Sequence, residues 1–138
     1  AWFHDIVYDS TKTNNENESG IVFVNFALEF GFLFDFAKEG HKLILLTDHK
    51  SDINSHLGKI ICDCDLVGFS FSNFLERSEL VRKEYSHIND EQWKKGRLLF
   101  LKSMLDKEHI FKTVRFRKLY ETEARNNINE EIVYLNIK

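Results

Sequence analysis

The chain has 138 residues, 13 phenylalanines and no proline, and its formal net charge is -3 at pH 7. This length supports one domain with a hydrophobic core, so the sequence predicts a single globular domain over residues 1–138. Charged residues of both signs make up 30% of the chain, which argues against wholesale disorder. The acidic total argues against nucleic-acid binding by the whole surface.

The cysteines and the hydropathy predict the compartment. Cys62 and Cys64 are separated by one residue, so a disulfide between them would be strained and would close almost no loop. Both are therefore expected to be reduced thiols of a cytoplasmic protein. No signal peptide is visible, although Ala1 need not be the native start. The most apolar stretch, residues 20–37, has the length of a membrane span but contains three polar or charged residues, which favours a buried core element.

The N-terminal part combines a short apolar run with a polar one. Residues 6–8, Ile-Val-Tyr, suit a β-strand. Residues 11–20, "TKTNNENESG", contain no large apolar side chain and predict an exposed, flexible loop.

The phenylalanine-rich segment 21–38 fits two periodicities. Its apolar residues fall on one helical face, yet Phe30, Phe32, Phe34 and Phe36 also alternate as in a strand. The length of the segment favours a helix, because strands this long are rare. The choice between helix and strand stays open at this point.

The middle and the end of the chain supply further elements. Residues 42–47, "KLILLT", predict a buried strand, 51–62 a short helix and 65–72, "DLVGFSFS", a third strand. Two helices are predicted next, over 73–85 and over 89–105 with Asn89 or Asp90 as the cap. Two closing strands are predicted from alternating apolar residues, over 111–121 and 130–138.

This order of elements predicts the fold class. Strands that alternate with helices indicate an α/β or α+β domain with a small mixed sheet, in the order β-α-β-α-β, followed by two helices. The C-terminal strands would add an antiparallel edge.

Residues 37–48, "AKEGHKLILLTD", resemble the helix-to-strand passage of haloacid-dehalogenase-like phosphatases. Together with 65–72 they also resemble cobalamin-binding domains of the Rossmann type. The phosphatase motif Asp-x-Asp is missing, since only Asp9 follows the first predicted strand. Around His56, Asn54 and Lys59 replace the Asp and Gly of the cobalamin motif Asp-x-His-x-x-Gly. No functional residue is transferred from either family.

A polar cluster follows the predicted strand 42–47. Asp48 and His49 would lie at the carboxyl edge of a sheet, where open α/β sheets bind ligands. Asp52 and His56 are four residues apart and would share one helical face. These four residues are the candidate polar site, although their spacing matches no recognised metal motif.

The charges are unevenly distributed along the chain. Residues 1–40 contain seven acidic side chains and two lysines, a net charge of -5, whereas residues 94–118 contain nine basic and two acidic side chains, a net charge of +7. On the predicted strand, Arg115 and Arg117 would share one face. We expect Lys112, Arg115, Arg117 and Lys118 to be the partner-binding residues.

The leading hypothesis is a small cytoplasmic protein-binding module, of the inhibitor or immunity type that neutralises a toxin or an enzyme. Two alternatives stay open: an α/β enzyme or ligand-binding domain that uses the polar site after strand 43–47, and a small nuclease that uses the basic region 94–118. The expected partner is a protein, with weak support for nucleic acid and none for a membrane. No catalytic residue, cofactor or bound metal is expected, and the oligomeric state is left open.

Overall fold

A computed structural model describes residues 2–137, which fold into six α-helices and two short 3-10 helices. The α-helices are α1 (Asn15–Glu29), α2 (Phe34–Leu45), α3 (His56–Leu66), α4 (Phe74–Glu84), α5 (Asp90–Leu105) and α6 (Val114–Ile137), and the 3-10 helices are Leu46–Asp48 and Val67–Ser70. None of residues 2–137 lies in a β-strand. The predicted α/β or α+β fold with a mixed sheet is therefore wrong.

The contacts within the chain divide it into two compact units, one ending at Asp65 and the other beginning at Leu66. The sequence predicted a single globular domain over residues 1–138; each unit is described by itself below.

In the first unit, small residues bring α1 and α2 together. A methyl group added at Gly20 would lie 2.1 Å from Cδ2 of His41, and one added at Gly40 would lie 2.0 Å from Cε1 of Phe23. The hairpin turns at Gly31, whose φ of 78° is one that side chains disfavour. Segment 21–38 is therefore helical, as its length favoured, but it is divided between two helices.

The predicted buried strand 42–47 is instead the end of α2 followed by the first 3-10 helix. Its buried residues continue a helical face: Ala37, Ile44 and Thr47 are all buried, whereas Leu45 is exposed. Four consecutive apolar residues fit a buried strand and a helix equally well, and packing against α1 selects the helix.

The β-strand predicted at residues 6–8 does not form. The backbone of this N-terminal segment is hydrogen-bonded to side chains of α1 instead. Ser19 Oγ accepts the amide hydrogen of Val7 at 3.1 Å and donates to its carbonyl at 3.2 Å. Asn15 forms the same two-way pair with the backbone of Asp9. α1 begins at Asn15, so the second half of the loop predicted over 11–20 is helical, and Asn15 and Ser19 are buried there, whereas Asn17 is exposed.

The predicted helix over 51–62 begins late, and the strand predicted over 65–72 does not form. Ser55 caps α3 by accepting the amide hydrogen of Gly58 at 3.0 Å, so the helix starts at His56 and reaches Leu66. The segment 67–70 then continues as a 3-10 helix. Cys62 is buried with Sγ 3.1 Å from the carbonyl oxygen of Leu46, Cys64 is exposed, and neither forms a disulfide.

The second unit has the larger apolar core, to which α6 contributes along its length. Its buried members are Leu66, Phe74, Leu101, Met104, Ile110, Phe111, Ala124 and Ile128. The strands predicted over 111–121 and 130–138 are wrong: α6 runs from Val114 to Ile137, and Lys138 lies outside the described residues. The inward positions Ala124, Ile128 and Glu131 follow a helical period, while the alternating Val133 and Ile137 are exposed.

Helices α4 and α5 confirm the two helical predictions of the middle region. Asn89 caps α5, since its side-chain oxygen accepts the amide hydrogen of Gln92 at 2.9 Å. Among residues 2–137, no helix combines the length and the apolar character that crossing a bilayer requires.

Candidate functional site

The four residues of the predicted polar site do not converge. Asp48 accepts the amide hydrogen of Lys50, and Asp52 and His56 are exposed. Asp52 precedes α3, so the helical spacing expected between it and His56 does not exist. The argument from a sheet edge also fails, because Asp48 ends a 3-10 helix.

His49 belongs instead to a cluster around Asp65. Its Nε2 lies 2.7 Å from Oδ2 of Asp65, while Nε2 of His4 lies 2.9 Å from Oδ1 of the same carboxylate. The second carboxylate, that of Asp5, has Oδ2 3.1 Å from the same nitrogen of His4. Two imidazoles and two carboxylates thus meet in the first unit, from the N-terminal turn, the turn after the first 3-10 helix and the end of α3.

The electrostatics of the cluster keep Asp65 ionised. Burial would raise the pKa of Asp65, but hydrogen bonds from His4 and His49 outweigh it and lower that pKa to about 2. An ionised carboxylate can accept hydrogen bonds and can ligate a metal ion at neutral pH.

The backbone at His49 directs its ring onto Asp65. His49 adopts a left-handed conformation with φ 56°, uncommon for residues with a side chain but several-fold enriched for histidine. Its Nδ1 atom is buried and has no hydrogen-bond partner among residues 2–137. The neutral tautomer with the proton on Nε2 fits both observations, because it donates to Asp65 and leaves only a lone pair at Nδ1.

Sequence reasoning selected His49 but missed His4, Asp5 and Asp65. His4 and Asp65 are 61 positions apart and share no motif spacing. The local signal was limited to a histidine beside an aspartate at positions 4 and 5, a pair too common to indicate a site.

The predicted partner-binding residues lie in and just before α6, not on a strand. Arg115 and Arg117, two positions apart on a helix, do not share a face. The guanidinium of Arg117 donates to the carbonyls of Phe111 and Lys112 at 2.8 and 3.0 Å, so it holds its own loop. Arg115 and Lys118 are exposed. Phe111, just before α6, is fully buried, so its ring offers no face for stacking on a base.

An exposed aromatic surface covers the α1–α2 hairpin. Six rings contact each other in the order Phe30, Phe26, Phe3, Phe23, Phe36 and Phe32, with centroid separations of 4.5, 5.0, 5.4, 6.1 and 4.8 Å. At the turn, Phe30, Leu33 and Phe34 are 66%, 79% and 62% exposed. We use the term aromatic surface for these six rings together with Leu33 and Phe34.

The contact between α1 and α2 takes up few of the large side chains. Ala27 and Ala37 are fully buried, and Gly20 and Gly40 lie against one ring each, His41 and Phe23. Phe26, Phe30, Phe32, Phe34 and Phe36 are left exposed. Apolar side chains left outside form contiguous surface of the kind that marks interaction sites in soluble proteins.

The second unit contains a cavity of about 360 Å³. Several of its polar lining groups are paired with each other: Tyr134 donates to Glu79 at 2.7 Å, and Ser78 donates to Glu131, which also pairs with Arg97. The volume suits a small ligand, but most of the groups that would recognise one are already bonded.

In comparisons with known proteins, no model of a protein family, no curated protein and no solved structure matches this chain.

Proposed function

We propose that this chain is a protein-binding module that docks a partner through the aromatic surface. The observation that supports this most directly is the unbroken ladder of six phenylalanine rings, four of which are exposed. Burying apolar area on a partner gains about 25 cal/mol per Å², and rigid aromatic side chains supply that area with little loss of conformational entropy.

The charges beside the aromatic surface indicate the chemistry of the partner. Glu29, Asp35 and Glu39 are exposed on or next to the hairpin, together with the basic Lys38 and Lys42, and Lys42 pairs with Glu39 at 3.3 Å. A partner face that is apolar at its centre and basic at its rim complements this arrangement. An anionic membrane does not, because its surface would repel the same carboxylates.

Within this class, an inhibitor or immunity-type protein suits the charge distribution. The net charge of -5 over residues 1–40 would steer the module toward a basic cleft, such as that of an enzyme that binds nucleic acid. The partner surface expected from the sequence, at Lys112, Arg115, Arg117 and Lys118, has less support because Arg117 is engaged within its own chain.

The test begins with a photo-crosslinking amino acid at position 34, with position 99 as the matched control. Leu99 is exposed to the same degree as Phe34 but lies in the second unit. A protein captured from the native host at position 34 and not at 99 is then purified, and its binding is measured by calorimetry.

The double variant Phe32→Ser/Phe34→Ser is expected to weaken the reconstituted complex by more than about tenfold, while Leu99→Ser leaves it unchanged. Equal losses in both variants would contradict the proposal. Flotation with neutral or anionic vesicles, or self-association that the double variant abolishes, would assign the aromatic surface to lipid or to a second copy and would overturn it.

A further inference from the structure

We propose that His4, Asp5 and Asp65 form a binding site for a divalent transition-metal ion of the zinc class, with His49 holding Asp65 in place. This inference is independent of the proposed protein-binding function. It departs from the expectation, drawn from the sequence, that the chain binds no metal.

The first argument is the geometry of the ligand atoms. Nε2 of His4 and one oxygen from each of Asp5 and Asp65 all lie within 4.8 Å of one another. In a tetrahedral site with bonds of about 2.0–2.1 Å, neighbouring ligand atoms are about 3.3–3.4 Å apart. The separations of 2.9 and 3.1 Å from Nε2 of His4 are only a few tenths of an ångström shorter. Small side-chain rotations would admit a cation.

The second argument is that one nitrogen serves two carboxylates. Nε2 of His4 carries at most one hydrogen, yet oxygens of Asp5 and Asp65 both lie within hydrogen-bond distance of it. A single N–H makes only one linear hydrogen bond, so one carboxylate is left with a poor contact. A cation on the nitrogen lone pair would bind both oxygens, and its two positive charges would balance two carboxylates.

The third argument concerns His49. With its proton on Nε2 it donates to Oδ2 of Asp65 and leaves Oδ1 for the ion. Hydrogen bonds of this kind orient ligating carboxylates in metal sites. A metal on Nε2 of His49 would instead require a hydrogen on Nδ1, which is buried and has no hydrogen-bond partner in the described part of the chain. We therefore assign His49 to orientation, not to ligation.

The site is open to solvent. The side chain of Asp5 is 58% exposed, and those of His4, His49 and Asp65 are about one-fifth exposed. Three protein ligands leave the fourth tetrahedral position for water or another small molecule. Imidazole with carboxylates suits zinc, iron or manganese better than a site of carboxylates alone, which would favour calcium or magnesium.

The experiment uses the untagged chain, stripped with a chelator and titrated with Zn²⁺ in competition with a chromophoric indicator. We expect one equivalent per chain and a higher unfolding temperature with Zn²⁺, with no comparable response to Mg²⁺ or Ca²⁺. The absorption of the Co²⁺ form should have the intensity of four-coordinate cobalt. Co²⁺ absorption of octahedral intensity would contradict the assigned geometry, and a titration without saturation at one equivalent would overturn the site.

Matched variants separate a metal site from a network of hydrogen bonds. His4→Gln and Asp5→Asn should each lower Zn²⁺ affinity at least tenfold, and His49→Gln about 10–100-fold through orientation alone. His56→Gln and Asp52→Asn are the controls, since both residues are exposed and outside the cluster. Asp5→Asn decides the outcome if the variants of His4 and His49 unfold, because Asp5 is mostly exposed. Zn²⁺ affinity unchanged in Asp5→Asn, or reduced equally in the controls, would refute the proposal.

Discussion

Arg97 and Glu131 form a buried ion pair that joins α5 to α6. Nε of Arg97 lies 2.8 Å from Oε1 of Glu131 and Nη2 lies 2.9 Å from Oε2, with side-chain exposures of 12% and 2%. The Ser78 hydroxyl on α4 donates to the same carboxylate, so three helices of the second unit meet at Glu131.

Removal of one partner of this pair should be costly. Glu131→Leu leaves the guanidinium of Arg97 uncompensated, and we expect a loss of roughly 3–5 kcal/mol in the free energy of unfolding. The double variant Arg97→Met/Glu131→Leu should recover most of that loss, because two apolar side chains of similar volume leave no unpaired charge in the core. The second single variant is Arg97→Met. Urea denaturation of the two single variants and the double variant measures the coupling. Additive losses would show that the pair contributes no interaction energy.

Two glycines in helices should respond oppositely to alanine. At Gly20 an added methyl group would lie 2.1 Å from Cδ2 of His41, whereas at Gly96 in α5 it would meet no described group within 4 Å beyond its chain neighbours and the backbone of its own helix. We expect Gly20→Ala to lower the free energy of unfolding by roughly 1–3 kcal/mol through overpacking. Gly96→Ala should raise it by up to about 1 kcal/mol through helix propensity. Thermal unfolding of both proteins checks the contrast, and a stabilised Gly20→Ala protein would be incompatible with the close helix packing.

Glu121 should contribute stability that depends on pH. Burial would raise the pKa of Glu121, but the amides of Ile110 and Phe111 and the guanidinium of Arg125 lower it below its usual value of 4.5. Because the pKa of Glu121 is lower in the folded state, its ionised carboxylate stabilises the fold above pH 4.5. This stabilisation is lost as the pH falls through the pKa of the folded state. The stability difference between the wild type and Glu121→Gln should therefore shrink in acid. A difference that stays constant from neutral pH into acid would argue against this role.

Arg117 and Arg115 should differ although both are basic and near the start of α6. Arg117→Glu removes two charged hydrogen bonds to backbone carbonyls and should cost roughly 1.5–3 kcal/mol. Arg115→Glu changes an exposed side chain and should stay within about 0.5 kcal/mol. Chemical denaturation of the two variants measures both values. Equal effects would mean that the hydrogen bonds of Arg117 add no stability.

The exposed charges of Arg115 and Lys118 can be tested for a role in binding without harm to the fold. Arg115→Glu/Lys118→Glu alters only exposed charges, unlike a variant that includes Arg117. If these charges steer a partner, association should slow and lose much of its salt dependence. The association rate with the partner captured through position 34 provides the measurement, and an unchanged rate at low and high salt would leave Arg115 and Lys118 without a role in steering.

The parts of the fold that could be predicted from the sequence are those that depend on helix periodicity and capping. The helices α4 and α5 follow from their apolar periodicity and, for α5, from the Asn89 cap, whereas the sequence left segment 21–38 open between helix and strand. The uneven charge also follows from composition alone. These features depend on residues within about one or two helical turns of each other, which is the range of propensity and capping.

The other elements of the fold depend on packing between segments distant in the sequence, because short apolar runs fit both the helical and the strand periodicity. The apolar run at residues 42–47 is too short to distinguish a helix from a strand, and packing against α1 selects the helix. The alternation at residues 130–137 is equally short, and the core of the second unit selects the helix there. The cluster of His4, Asp5 and Asp65 joins residues about 60 positions apart, a distance at which no sequence spacing is diagnostic. The aromatic surface is exposed for the same kind of reason. Its phenylalanines look like core residues in the sequence, but the contact between α1 and α2 is filled by Ala27, Ala37 and the pairs Gly20–His41 and Gly40–Phe23, which leaves most of them outside.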